Sequence, residues 1–110
     1  MPETSSLTSM QGTVGQFADT RMERGIAQVG NKPNPKETKT LLVKFNTPFQ
    51  EKPIVVANAL EEDNRDYPDG FAVTLANVST TGFEARVRRV DSTEQTWGQS
   101  LQLSWVAIGR

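Results

Sequence analysis

Apolar and polar residues alternate along much of this chain, and the pattern is clearest in its last stretch, from Gly82 to Ile108. This stretch consists of two arms, GFEARVRRV and WGQSLQLSWVAI, joined by the polar loop DSTEQT. A period of two is typical of β-strands. The two arms therefore predict a β-hairpin. Because each arm is apolar on one side only, a second layer must cover them, which predicts a packed sheet.

Three more segments upstream have strand character. They are TKTLLVKF (38–45), IVVANAL (54–60) and FAVTLA (71–76), separated by stretches rich in proline, glycine and acidic residues. Pro48 ends the first strand and Pro53 precedes the second, because proline cannot donate to a sheet. IVVANAL is apolar on both faces at first, which predicts a central strand.

The N-terminal part has a weaker pattern. Residues 1–11 are rich in Ser and Thr and are predicted to be a flexible tail or linker, so that the folded domain spans residues 12–110. TVGQF (13–17) and IAQV (26–29) are short β-prone pieces, and the charged run from Asp19 to Arg24 between them predicts a turn or a short helix. Together the segments predict an all-β fold, a six- to seven-stranded antiparallel β-sandwich.

Composition narrows the function. The 110 residues include no histidine and no cysteine, which removes most transition-metal sites and the Cys and Ser-His nucleophiles. A net charge of −1 argues against electrostatic capture of nucleic acid, and no apolar stretch is long enough for membrane insertion. The sequence thus predicts no cofactor, no nucleic acid partner and no insertion into a membrane.

Acidic residues are the next candidates for chemistry. The decad from Glu61 to Gly70 holds five of them, but its spacing does not match an EF-hand, because Arg65 and Tyr67 fall where oxygen donors belong. A solvated hairpin loop is the preferred interpretation, and no metal site is predicted. A glycosidase needs two carboxylates beside a cleft. Since the acids fall in predicted loops or on outward faces, an enzyme is not predicted.

Two groups could bind a ligand. Arg86 and Arg88 share the outward face of one arm and suit an anion, although pairing with acidic neighbours or with another subunit explains them equally well. Trp97 precedes the last strand, outside the alternation that buries Trp105. Its indole is predicted either to lie exposed, where it can stack on a sugar or anchor an interface, or to cap the sandwich.

Three segments carry a family resemblance: FNTPFQEKPIVVANAL, LANVSTTGFEARVRRVDST and SLQLSWVAIG. Their Phe-x-x-Pro-Phe entry, their Thr-Gly-Phe turn and their closing Ser-Trp strand occur in the order found in H-type lectins, the domain of snail agglutinins and of the C-terminal part of slime-mould discoidins. The chain resembles this family from about Thr40 to Gly109. The resemblance implies a six-stranded antiparallel sandwich that forms a homotrimer and binds N-acetylgalactosamine-type sugars between protomers.

The resemblance also points to site positions, most of which carry different residues here. The family's acidic residue falls at Asn34, and its arginine falls at Gly70, where Arg65 can substitute. The Trp-His pair falls at Val90 and Asp91, the tyrosine at Gln99 and a cysteine at Val87. Trp97 can replace the lost stacking from a longer loop, with polar contacts from nearby side chains. The predicted carbohydrate-binding residues are Asn34, Arg65, Arg89, Asp91, Trp97 and Gln99.

Two functions follow from these observations. The first is a non-enzymatic carbohydrate-binding module that gains avidity as a trimer, with glycans of the galactose or N-acetylgalactosamine type as partners. The resemblance further implies an extracellular or cell-surface location and a role in cell adhesion. The alternative is a structural or assembly domain of the same fold, such as a fibre tip, without a sugar site.

Overall fold

The computed structural model describes residues 20–64 and 69–110, and this part of the chain is all β, with no helix. Six strands follow one another along the sequence: β1 (Arg21–Lys32), β2 (Lys39–Lys44), β3 (Ile54–Leu60), β4 (Phe71–Ala76), β5 (Gly82–Arg89) and β6 (Trp97–Gly109). The strands predicted at IVVANAL and FAVTLA have the predicted bounds. The predicted strand at TVGQF (13–17) and the predicted tail (1–11) lie outside the described residues.

The six strands form two three-stranded antiparallel sheets. Sheet A has the order β1-β6-β3, and sheet B has the order β2-β5-β4. Their inner faces enclose the core, in which Leu101, Leu103 and Ala107 of β6 and Ala85 of β5 have no exposed surface. Alternating burial along both central strands is the reason why these sequences form a sandwich. The predicted antiparallel β-sandwich is confirmed.

The predicted hairpin between the last two strands is wrong. β5 is the central strand of sheet B and β6 is the central strand of sheet A, so the two face each other across the core and do not pair. Each central strand already has a hydrogen-bonded neighbour on both sides. The loop of residues 90–96 therefore crosses from one sheet to the other. The loop of residues 61–70, which was also predicted to close a hairpin, likewise joins β3 of sheet A to β4 of sheet B.

Two further expectations are corrected by the sheet order. The charged run that ends at Arg24 is not a turn or helix, because its described part belongs to β1. Its charges have partners in the β2–β3 loop: Arg21 Nη2 donates to the Thr47 carbonyl at 2.6 Å, and Glu23 Oε2 accepts from the Asn46 amide at 2.8 Å. β3, predicted to be central, is an edge strand of sheet A.

Sheet A has an unusual outer face. Strand register places Met22, Ile108 and Ile54 in one row across its three strands, and Val106 and Val56 in the next row together with Arg24 of β1. Met22 is 62% exposed and Ile54 is 73% exposed. Exposed apolar patches of this kind are characteristic of interaction surfaces.

Candidate functional site

One end of the sandwich, termed the loop end, brings together most of the predicted site residues. The loops of residues 33–38, 61–70 and 90–96 each join one sheet to the other at this end. The loop end contains Asn34, Arg89, Asp91, Trp97 and Gln99. Arg65 lies outside the described residues. The sequence therefore predicted a group of residues from separate segments that the fold does bring to one region.

Trp97 is buried, which contradicts the alternative of an exposed indole and agrees with the alternative that it caps the sandwich. It is the first residue of β6 and lies in phase with Trp105, with only 4% of its surface exposed. Its Nε1 donates to the Gly30 carbonyl at 2.8 Å, and its ring meets the edge of Phe71 with centroids 5.1 Å apart. The satisfied N–H and the aromatic contact make Trp97 the cap of the core at the loop end.

Lys32 is the residue at this end that the sequence did not reveal. The register of β1 and β6 shifts on both sides of Gly30, which has a φ of +83°. This bulge turns Lys32 inward opposite Trp97, and the side chain is 5% exposed. Its Nζ donates to the carbonyls of Asn34 and Gln95, tying the first and third loops together. The sequence signal for the bulge is the glycine in Val-Gly-Asn, because a glycine within a strand often marks a bulge that interrupts the alternation.

Arg89 is the centre of an ion-pair network. Its guanidinium contacts Asp91 Oδ1 at 2.7 Å and Asp69 Oδ1 at 3.2 Å, and its Nη1 donates to the Thr96 carbonyl at 3.0 Å. The hydrogen bond from Arg89 lowers the pKa of Asp91, and the same bond raises the pKa of Arg89. These contacts hold the third loop against the start of β4. They also occupy much of the hydrogen-bonding capacity of both side chains.

Gln99 is a structural amide, since only 2% of its surface is exposed. Its Nε2 donates to Glu61 Oε1 at 3.0 Å and to Asp69 Oδ2 at 2.8 Å, and its Oε1 accepts from the Glu62 amide at 3.1 Å. The acidic loop is thus partly folded onto β6 and not simply solvated. Gln99 therefore holds the second loop at both ends, through Glu61 and Glu62 at its start and Asp69 at its end.

Asn34 differs from the other predicted residues because it is exposed. Its Oδ1 accepts from the Lys36 amide at 2.9 Å, an Asx-type bond that shapes the first loop. In the described part of the chain no hydrogen bond is made by its Nδ2. That amide group is available to a ligand at the rim of the loop end.

Lys32 lines several concave surfaces at the loop end, two of which also reach the third loop. The larger, termed the Trp97 cleft, has a volume of about 400 Å³ and is lined by Asn31, Lys32, Pro33, Arg89, Thr96, Trp97 and Gly98. Gly98 contributes an opening, because a Cβ at this position would meet no atom within 4 Å. The smaller, termed the Lys32 cavity, has a volume of about 190 Å³ and is lined by Lys32, Pro35, Lys36, Glu37, Thr38, Val87, Arg88 and Gln95.

These surfaces offer hydrogen-bonding and apolar groups to a ligand. In residues 20–64 and 69–110, no group of three or more acidic side chains is placed to hold a metal ion. The Trp97 cleft combines an apolar floor with a guanidinium and backbone groups, a combination that suits a polar ligand with an apolar patch. Asp69 and Asp91 pair with Arg89, and Glu61 accepts a hydrogen bond from Gln99.

Comparison with known protein families decides the class. The model of the H-type lectin domain matches residues 40–108, which is more than half of the chain. The chain belongs to the H-type lectin family. At the level of the family it is a lectin-type carbohydrate-binding module, as the sequence motifs predicted. The match includes β2 to β6 and begins after Lys32 and Asn34. No curated protein matches the chain, and no helix in its described part could span a membrane.

Proposed function

We propose that this chain is a non-enzymatic, trimeric lectin that binds glycans of the galactose or N-acetylgalactosamine type in the Trp97 cleft. The observation that carries the proposal is the cleft itself. It has a volume of about 400 Å³ and is lined by both Trp97 and Arg89. This volume lies within the range of about 300–1,000 Å³ that small ligands occupy. Family membership supplies the class of ligand.

The proposed roles of the individual residues follow their surroundings. Arg89 faces the cleft and donates to sugar hydroxyls, while Asp91, whose side chain is 35% exposed, orients it and accepts at the rim. Asn34 contributes a further polar contact from the first loop, through the Nδ2 at its rim. Trp97 forms the floor of the cleft. Gln99 does not contact the ligand and instead supports the second loop through its bond to Asp69.

The proposed trimer uses the outer face of sheet A. Its exposed residues Met22, Ile26, Ile54 and Val56 would be removed from water by a second and third copy of the same face. Gly98 lies on the outward side of β6 at the end of this face, so the Trp97 cleft adjoins the proposed protomer boundary. Three clefts in one assembly would give the avidity that weak sugar sites require.

A second candidate is a structural or assembly domain with the same trimer and no sugar site. It is favoured by the internal use of the predicted ligand contacts, because Arg89 and Asp91 bond to each other and Gln99 is buried. In this case the loop-end network would serve stability alone. The two candidates differ in glycan binding and agree in assembly.

A glycan array with purified protein separates the two candidates. The lectin reading predicts binding to terminal galactose or N-acetylgalactosamine, and predicts that Gly98→Leu abolishes it by filling the cleft. Gly98 tolerates a side chain without a clash, so folding should be preserved. Thr74→Leu, an exposed strand position on sheet B, is the matched control and should bind as the wild type does. A blank array with a stable trimer would favour the structural domain.

A further inference from the structure

The charge of Lys32 has no counter-ion in the described part of the chain. The side chain is 5% exposed, and no carboxylate oxygen in these residues lies within 4.0 Å of its Nζ. An ammonium has three N–H donors, and the Asn34 and Gln95 carbonyls accept two of them. The Trp97 ring, 5.9 Å from Nζ, adds only a weak attraction. A buried charge normally has an ionic partner, because removing it from water is costly.

The Lys32 cavity surrounds this charge with more cations. Lys36 and Arg88 line it as well, and neither forms an ion pair within the described residues. Glu37 is the single carboxylate in the lining, so the lining holds three positive residues and one negative residue. Thr38 adds a neutral hydroxyl, whereas the Gln95 amide is bonded to the Arg89 backbone. The net charge of the lining is therefore positive, although the chain as a whole carries −1.

The size of the cavity limits what it can hold. Its volume of about 190 Å³ is below the range of about 300–1,000 Å³ typical of sites for whole small ligands. A carboxylate or sulfate group is small enough, and each offers several acceptor oxygens to Lys32 and Arg88 at once. The fit is thus to a charged substituent of a ligand.

We propose that the Lys32 cavity is an oxyanion subsite that binds the carboxylate or sulfate ester of an acidic saccharide. The anion would accept the third N–H of Lys32 and the donors of Arg88 and Lys36, and it would neutralise the buried ammonium. That the anion is carried by a saccharide rests on the proposed lectin function. The charge and the volume of the cavity do not depend on it.

The first test uses inorganic sulfate as the probe. In ¹⁵N-labelled protein, sodium sulfate added against sodium chloride at constant ionic strength should shift the backbone amides of Thr38, Val87 and Gln95, which line the cavity. Arg88→Gln and Lys36→Gln should each weaken the apparent affinity about tenfold, the cost of a lost charge-assisted hydrogen bond. Both positions are exposed, so the variants should fold.

The matched control is Arg86→Gln. Arg86 is on the same strand two residues away, pairs with Glu84 and does not line the cavity. This variant should respond to sulfate as the wild type does, which separates binding from the general stabilisation that sulfate gives folded proteins. Equal responses in all four proteins, or shifts spread over the whole surface, would overturn the subsite and leave Lys32 as a strut between two loops.

The second test compares neutral and acidic sugars. Galactose, galactose 6-sulfate and galacturonic acid are titrated into wild-type protein and Arg88→Gln, and the acidic sugars should bind about tenfold tighter to the wild type only. Equal affinity for all three sugars would overturn the inference and leave the lectin function intact. Binding of sulfate without binding of any sugar would overturn the saccharide part together with the proposed function.

Discussion

The outer faces of the two sheets are built from the same alternating pattern but differ in chemistry. On sheet A the outward rows are largely aliphatic, with Met22, Ile54 and Ile108 aligned across three strands. On sheet B the outward residues of β5 are Glu84, Arg86 and Arg88, flanked by threonines, alanines and a lysine, with Leu42 as the one large apolar side chain in these rows. Sheet B thus has the more polar outer face, and sheet A has the more apolar one, of the kind found at interaction surfaces.

This difference explains why β3 resembled a central strand in the sequence. Alternation identifies the inward face, whereas apolar residues on both faces indicate that both are covered. In β3 the inner face is covered by sheet B, and Ile54 and Val56 of the outer face are exposed in the single chain. We therefore attribute the second apolar face to the proposed contact between protomers.

The largest expected effect comes from placing a charge on each outer face. Ile54 is 73% exposed on sheet A and Leu42 is 77% exposed on sheet B, so the two positions are matched in size and exposure. Ile54→Lys should convert the trimer to monomers, because an unpaired charge in an apolar interface is costly to desolvate. Leu42→Lys should leave the trimer unchanged. Light scattering on a size-exclusion column gives the mass of each.

A wild-type protein that is monomeric at micromolar concentration would contradict the proposed role of sheet A. So would a trimer that tolerates Ile54→Lys and dissociates with Leu42→Lys, since that outcome would place the interface on sheet B.

A smaller effect is expected from neighbouring inward and outward positions at the loop end. Trp97→Ala removes a buried ring and its hydrogen bond to Gly30, and should lower the free energy of unfolding by about 3–5 kcal/mol. Gly98→Leu, one residue later and outward, should change it by no more than about 0.5 kcal/mol. Urea denaturation measures both. A Trp97→Ala variant as stable as the wild type would show that the indole does not cap the core.

The smallest expected effect is a loss of folding stability at low pH. Hydrogen bonds from Arg86 and Asn77 lower the pKa of Glu84, and Arg89 lowers the pKa of Asp91. Carboxyls with a depressed folded-state pKa stabilise the fold above their ordinary values of 4.5 and 3.8, and this contribution is lost as the pH falls through the lower folded-state values. The outward strand positions of sheet A hold no carboxyl in the described residues, so lowering the pH should not change the charge of that face.

The pH test is a series of thermal midpoints from pH 6 to pH 2 for the wild type and for Arg86→Gln. The variant should lose less on acidification, because its Glu84 has no arginine partner, and the difference should shrink in high salt. A steeper loss in the variant than in the wild type would contradict the sign derived for Glu84.

Much of the fold could be predicted from the sequence, because burial imposes a period of two on every strand. What alternation does not specify is which sheet a strand joins, and for this reason β5 and β6 were predicted to pair. The segment with the inward residues Arg21 and Glu23 was not predicted to be a strand, because the partners of these charges come from the distant β2–β3 loop.

The site was predicted less completely than the fold. The family resemblance pointed to Asp91 and Gln99, which the fold brings to the loop end together with Arg89, but the burial of Trp97 follows from where β6 begins. The inward turn of Lys32 follows from a bulge at Gly30, which breaks the alternation that the prediction used.

The central claim is that a sugar occupies the Trp97 cleft, and the two tryptophans of the chain test it directly. Trp97 lines the cleft, and its indole N–H bonds to Gly30, whereas Trp105 packs in the core against Phe45 and Phe83. Titration of N-acetylgalactosamine into ¹⁵N-labelled protein should shift the Trp97 indole resonance in a saturable manner and leave that of Trp105 in place. A Trp97 resonance that stays fixed at millimolar sugar would contradict the claim.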